Sequence, residues 1–187
     1  MVLGKQHSDG PKGLERGSYA RDKTGAPPQG INHGYYNRGG NLLWMDIEYA
    51  VACMANSLHR HNAKPRGIIG VSRGGLIPAV MLSHLMEVPY ICDLYSKTYS
   101  DKMLETTQLH WDPAAKDEIN NPNNLVVDDI WDSGTTHQAF RQAFPDGTFA
   151  TLFYKEKAAQ PHSHMVVNFP GLALREGEWV KFPWEVK

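Results

Sequence analysis

From about residue 45 the chain is written in short apolar blocks separated by polar turns, and the blocks read alternately as helices and strands. Ile47, Ala50, Val51, Met54, Ala55 and Leu58 recur at three- and four-residue spacing, which puts them on one face of a helix that begins near Met45 with Asp46 as its N-cap. Residues 67–71, Gly-Ile-Ile-Gly-Val, form a run short enough for a buried strand. The turn Ser72-Arg73-Gly74-Gly75 then leads into a helix over residues 76–86, with Pro78 tolerated in its first turn. Further strands are predicted over 88–95, 125–127, 148–154 and 165–169, and a helix over 137–144. Strands alternating with helices predict an α/β fold, a mainly parallel sheet flanked by helices on both faces. Ligands of such sheets bind beyond the carboxyl ends of the strands, where residues 72–75 and 128–136 both fall.

Two stretches break the pattern. Residues 1–40 hold nine of the seventeen glycines, together with Pro11, Pro27 and Pro28, and show no periodic apolar face. They are expected to form a flexible or draped head, with residues 41–187 as the folded domain. The tract 96–121 is polar and aperiodic, and a loop of that length inside a compact domain is expected to be a mobile lid.

Charge narrows the possibilities. Acids and bases nearly cancel, for a net charge of −1, and no basic face suggests nucleic acid or an anionic membrane as partner. No apolar run is long enough for a membrane span, and the first residues do not read as a signal peptide. Cys53 and Cys92 lie in apolar surroundings without paired spacing, which predicts reduced thiols and a cytoplasmic setting.

The segment with most chemistry is Val126-Val127-Asp128-Asp129-Ile130-Trp131-Asp132-Ser133-Gly134-Thr135-Thr136. Ionised Asp128 and Asp129 accept hydrogen bonds from a vicinal diol or help to hold a divalent cation. Ser133, Gly134, Thr135 and Thr136 bring backbone N–H groups and hydroxyls to a helix N-terminus, a setting for phosphate. Diol and phosphate together describe a ribose 5-phosphate. Arg73 and Gly74 offer a second anion site, a rigid guanidinium fork beside a backbone that a ligand can approach closely. Lys155, at the end of the strand Ala150-Thr151-Leu152-Phe153-Tyr154, is a donor that a base carbonyl would accept. Trp179 offers a face for stacking.

The segment 126–136 resembles the phosphoribosyl pyrophosphate (PRPP) signature of the type I phosphoribosyltransferases. Residues 67–78, Tyr99, Phe153-Tyr154-Lys155 and Trp179-Val180-Lys181-Phe182-Pro183-Trp184 resemble, in the same order, landmarks of the bacterial xanthine-guanine enzymes. The resemblance runs from about residue 41 to 186. It implies a type I phosphoribosyltransferase-like fold with a flexible lid loop and a small C-terminal base-covering segment. It also implies Mg²⁺-dependent transfer of a 5-phosphoribosyl group from PRPP to a 6-oxopurine by a homo-oligomer, dimer or tetramer. In that family Asp128 and Asp129 would bind the ribose hydroxyls, Asp129 also near Mg²⁺. Asp132 would face purine N7, Ser133, Gly134, Thr135 and Thr136 the 5-phosphate, and Arg73 and Gly74 the pyrophosphate. Lys155 would read purine O6, Trp179 would stack on the base, and the Val180 main chain would read its far edge.

Two features depart from the family. Its lid arginine is absent, and Lys102 is the only cation in that segment, a point charge instead of a bidentate fork. The head is additional. Phosphoribosyl transfer to another nucleobase is one alternative, and a PRPP-sensing regulator without catalysis is another. Asp132, Lys155 and Trp179 favour catalysis, because a sensor needs only the PRPP loops. His59-x-His61 and His162-x-His164 lack a third ligand in sequence and read as solvated pairs, not a zinc site. Trp184 reads as plain core.

Overall fold

The computed structural model describes residues 40–101, 104–155, 168–174 and 179–185. The expected head up to residue 39, Lys102 and His162-x-His164 lie outside the described residues. Helix α1 spans Trp44–Arg60, followed by strand β1, Gly67–Ser72, helix α2, Leu76–Met86, strand β2, Tyr90–Asp101, and strand β3, Leu104–His110. A 3-10 turn at Pro113–Ala115 runs into the short helix α3, Lys116–Ile119. Strand β4, Asn124–Trp131, helix α4, Thr135–Ala143, strand β5, Thr148–Lys155, and strand β6, Phe169–Leu174, complete the chain.

The six strands form one sheet in the order β3-β2-β1-β4-β5-β6, parallel except for the antiparallel β2–β3 pair. Alternate residues of the central strands feed two cores. Ile68, Leu125, Val127 and Leu152 meet Ile47, Ala50, Val51, Met54 and Leu58 of α1 and Ala79 and Leu82 of α2. Ile69, Val71, Val126 and Phe149 meet Phe140 and Phe144 of the α4 segment and Ile119 of α3. Because β1 and the first half of β4 are covered on both faces, they read in sequence as unbroken apolar runs. That double cover also holds the carboxyl ends of β1 and β4 side by side, so the loops that follow them open on the same edge.

Three sequence expectations need correction. Asp46 is not the N-cap of α1. Leu43 holds that position, and Asp46 sits three residues on, its carboxylate accepting the Leu43 N–H at 2.7 Å. The tract 96–121 is regular over most of its length. Ser96–Asp101 extends β2 and pairs with β3, and residues 113–119 coil into the 3-10 turn and α3, whose Ile119 is fully buried. The reason is that β3 is an edge strand, so its polar Thr-rich side chains need no apolar alternation to pair. Finally, β6 begins at Phe169, where the predicted last strand ended, while residues 165–167 lie outside the described residues. Cys53 and Cys92 are unpaired and half-buried, and burial pushes both thiols up from their ordinary pKa.

Candidate active site

A cleft of about 1330 Å³ opens over the carboxyl ends of β1, β4 and β5. Its lining includes Arg73, Gly74, Asp128, Asp129, Asp132, Ser133, Gly134, Thr135, Thr136 and Trp179. Ten of the expected site residues are therefore brought to one wall from three separate stretches of chain.

The loop after β1 is pressed against β4. A Cβ on Gly74 would overlap the Asp129 carboxylate, and a Cβ on Gly75 would strike the Val127 carbonyl and the Asp128 backbone. Only glycine allows this approach, and it sets the Gly74 backbone directly beside the acid pair. Arg73 stands exposed at the rim.

The two acids of β4 are unequal. Asp128 is 8% exposed and accepts the Asp129 N–H at 2.9 Å, while Asp129 is half-buried. Burial pushes the Asp128 carboxyl well above the usual carboxylate range, and the neighbouring Asp129 adds to the rise. Burial likewise pushes Asp129 up to about 6, and Glu185 across the cleft contributes. Neither acid has an ion-pair partner among the described residues. Two crowded, desolvated carboxylates of this kind suit a divalent cation or the hydroxyls of a diol, which replace the lost hydration.

Beyond β4 the chain turns through Gly134, which has φ of 84° and caps α4. Glycine takes that left-handed conformation without a steric penalty. The turn leaves the Ser133 and Thr135 hydroxyls 3.1 Å apart and exposed, in front of a nine-residue helix. Hydroxyls and free N–H groups at a helix start form a phosphate cradle.

At the far end Asp132 and Lys155 form an ion pair, with Asp132 46% and Lys155 17% exposed. The Lys155 ammonium also lies 5.8 Å from the centroid of the Trp179 ring, which is 74% exposed. Diol-type acids, a phosphate cradle, an anion loop and an acid–lysine–indole cluster thus share one cleft. Residues 42–187 match the family described as Phosphoribosyl transferase domain.

The chain belongs to the phosphoribosyltransferase family.

As a phosphoribosyltransferase it is a glycosyl-transferring enzyme, and it resembles the bacterial xanthine-guanine enzymes. A xanthine-guanine phosphoribosyltransferase from Gluconobacter oxydans (strain 621H) is 30% identical over 147 residues, covering 77% of this chain and 83% of that protein. One from Cereibacter sphaeroides (strain ATCC 17025 / ATH 2.4.3) is 25% identical over 154 residues, covering 81% and 89%. The crystal structure of a purine phosphoribosyltransferase from Pyrococcus horikoshii Ot3 aligns with a TM-score of 0.56 at 28% identity, over 79% of this chain and 93% of that one.

Two expected residues are placed differently from the other ten. Lys155 is not itself in the cleft lining but is joined to it through its ion pair with Asp132. Val180, expected to act through its main chain, turns its side chain into the core, 5% exposed. The phosphoribosyltransferase cleft also has walls that the sequence did not announce. Tyr95 and Lys97 come from the middle of β2, Thr151 from β5, and Lys181, Trp184 and Glu185 from the C-terminal segment. Trp184 is not plain core, for it lines the cleft while stacking on Phe182 at 4.7 Å. One signal was available for Lys181. In Trp179-Val180-Lys181-Phe182 the apolar residues alternate with Trp179 and Lys181, a period of two that turns the latter pair to the cleft.

Proposed function

We propose that this phosphoribosyltransferase salvages purines, moving the 5-phosphoribosyl group of PRPP to a 6-oxopurine (guanine, xanthine or hypoxanthine) and releasing pyrophosphate, with Mg²⁺ as cofactor. The observation that supports this most is the Asp132–Lys155 pair beneath Trp179, in the same cleft as the acid pair and the phosphate cradle. Asp132 supplies an acceptor and Lys155 a donor, side by side. Purine N7 and O6 present the complementary donor and acceptor on one edge of a base stacked against Trp179. The names of the two xanthine-guanine relatives agree with these substrates.

In the reaction the purine N9 lone pair forms the bond to ribose C1′ while the C1′–oxygen bond breaks, its electron pair leaving with pyrophosphate. Ser133 to Thr136 hold the 5-phosphate, Asp128 and Asp129 hold the ribose hydroxyls, and Arg73 with the Gly74 backbone meets the departing pyrophosphate. Positive charge that develops on the sugar faces the acid pair. Asp132 holds the proton at N7 and accepts it as the N9–C1′ bond forms, which leaves the nucleotide base neutral. Lys155 holds O6, so the base is oriented with N9 towards the sugar. The crowded, unpaired acids are hard oxygen donors that fit Mg²⁺, and Asp129 would hold the ion. When bound, the ion neutralises pyrophosphate charge.

The assay is direct. Purified protein with PRPP, Mg²⁺ and guanine is expected to form the nucleoside monophosphate and pyrophosphate in equal amounts, and chelation of Mg²⁺ is expected to stop both. Pyrophosphate release without nucleotide would contradict the proposal.

A further inference from the structure

The base end of the cleft contains a cation that the reaction above does not use. Asp132 and Lys155 neutralise each other. Lys181 lines the same cleft, is exposed, and has no ion pair among the described residues. Its backbone is fixed on both sides, since the Lys181 N–H donates to the Gly40 carbonyl at 3.0 Å and its carbonyl accepts the Leu42 N–H at 2.9 Å. Val180 and Phe182, its neighbours, are anchored in the core. Lys181 therefore leaves the extended segment on the same side as Trp179, two residues and about 7 Å along. The other cleft cations, Arg73 and Lys97, belong to the β1–β2 end, where Ser72 is in register with Tyr95.

We propose that Lys181 reads the substituent at purine C2 and makes this enzyme prefer xanthine to guanine. The inference rests on the 6-oxopurine reading above. With N7 and O6 held by Asp132 and Lys155, and N9 turned to the sugar, the remaining edge of the base carries N1, C2 and N3. That edge faces the segment from which Lys181 projects. An ammonium only donates. It matches the 2-oxo group of xanthine and meets the 2-amino group of guanine donor against donor, while hypoxanthine offers only hydrogen there. Xanthine is also the most acidic of the three bases and loses a ring proton near neutral pH, so an ammonium without an ion pair favours it a second time.

The test is kcat/KM for xanthine, guanine and hypoxanthine in the parent enzyme, in Lys181→Met and in Lys181→Glu, with KM for PRPP measured alongside. Hypoxanthine reports any damage common to all three bases. The xanthine-to-guanine ratio is expected to fall about tenfold or more in Lys181→Met, as a charge-assisted hydrogen bond is lost. In Lys181→Glu it is expected to move further, towards guanine, because a carboxylate accepts from the 2-amino group. A ratio within about twofold of the parent in both variants would overturn the proposal. A rise in KM for PRPP with the ratio unmoved would overturn it as well, assigning Lys181 to the sugar phosphate. Failure of the parent enzyme to use any of the three bases is a separate result, which refutes the 6-oxopurine reading and this inference with it.

Discussion

Asp132 shows how much a single residue decides here. It forms an ion pair with Lys155, and in the function proposed above its carboxylate is the acceptor for N7. Asp132→Asn should lower turnover by roughly one to three orders of magnitude while PRPP binding, read by calorimetry, stays close to the parent value. Turnover equal to the parent would remove Asp132 from the chemistry. Gly74→Ala tests the other end. The added methyl would overlap the Asp129 carboxylate, so affinity for PRPP should fall at least about tenfold with the fold retained by circular dichroism. His137 makes a prediction about stability. It is buried, stacked on Trp131 at 5.2 Å with neither ring nitrogen hydrogen-bonded, and burial lowers its pKa to about 4. The folded protein thus refuses a proton that the unfolded chain accepts below about pH 6.5. The stability from this group is full above that pH and is lost as pH falls through about 6.5 towards 4. Going from about pH 7.5 to about pH 5, this group alone should cost about 2 kcal/mol, against an opposite contribution from the raised carboxyls of Asp128 and Asp129. In urea unfolding the stability of the parent relative to His137→Phe should therefore fall by about that amount over the same range. Equal pH dependence in both proteins would contradict this.

At the level of elements, the sequence is clear wherever burial is two-sided or amphipathic. Helix α2 spans the residues that the apolar pattern predicts, and β1 and the first half of β4 are read from unbroken apolar runs. The site residues were legible for the same reason, because Arg73, Gly74 and 128–136 follow those strands directly. Edge elements were not legible. Strand β3 and the outer half of β2 pair through backbone groups, which carry no side-chain signature, and their polar residues resemble a loop. Trp184 and Glu185 were missed because the cleft face of the C-terminal segment is set by packing against Leu42 and the core. Cross-strand pairing from Ser96↔Leu109 to Asp101↔Leu104 makes the first part of the expected lid a paired hairpin. Hydrogen exchange of the free protein should show protected amides in 104–110, as paired strands require. Exchange at the rate of an unstructured chain there, slowed only when PRPP and Mg²⁺ are added, would support a lid that orders on binding instead.

For the whole molecule, the main point is that one sheet edge gathers groups from β1, β4, β5 and the C-terminal segment into a site no single motif could supply. Cores on both faces of the sheet fix the carboxyl ends of the strands, and the loops inherit that rigidity. No helix among the described residues is long and apolar enough to cross a membrane. Leu43, Trp44 and Met45 at the start of α1 are exposed, and we expect the enzyme to be a dimer or tetramer, which light scattering of the purified protein would show. The central claim is that this cleft transfers phosphoribose to 6-oxopurines because Lys155 can only donate. The measurement closest to it is kcat/KM for guanine, xanthine, hypoxanthine and adenine in the parent enzyme and in Lys155→Gln. All three 6-oxopurines should exceed adenine by about two orders of magnitude or more, and Lys155→Gln should shrink that margin, since an amide presents either a donor or an acceptor. Adenine as the best substrate of the parent enzyme, or a margin untouched by Lys155→Gln, would contradict the account.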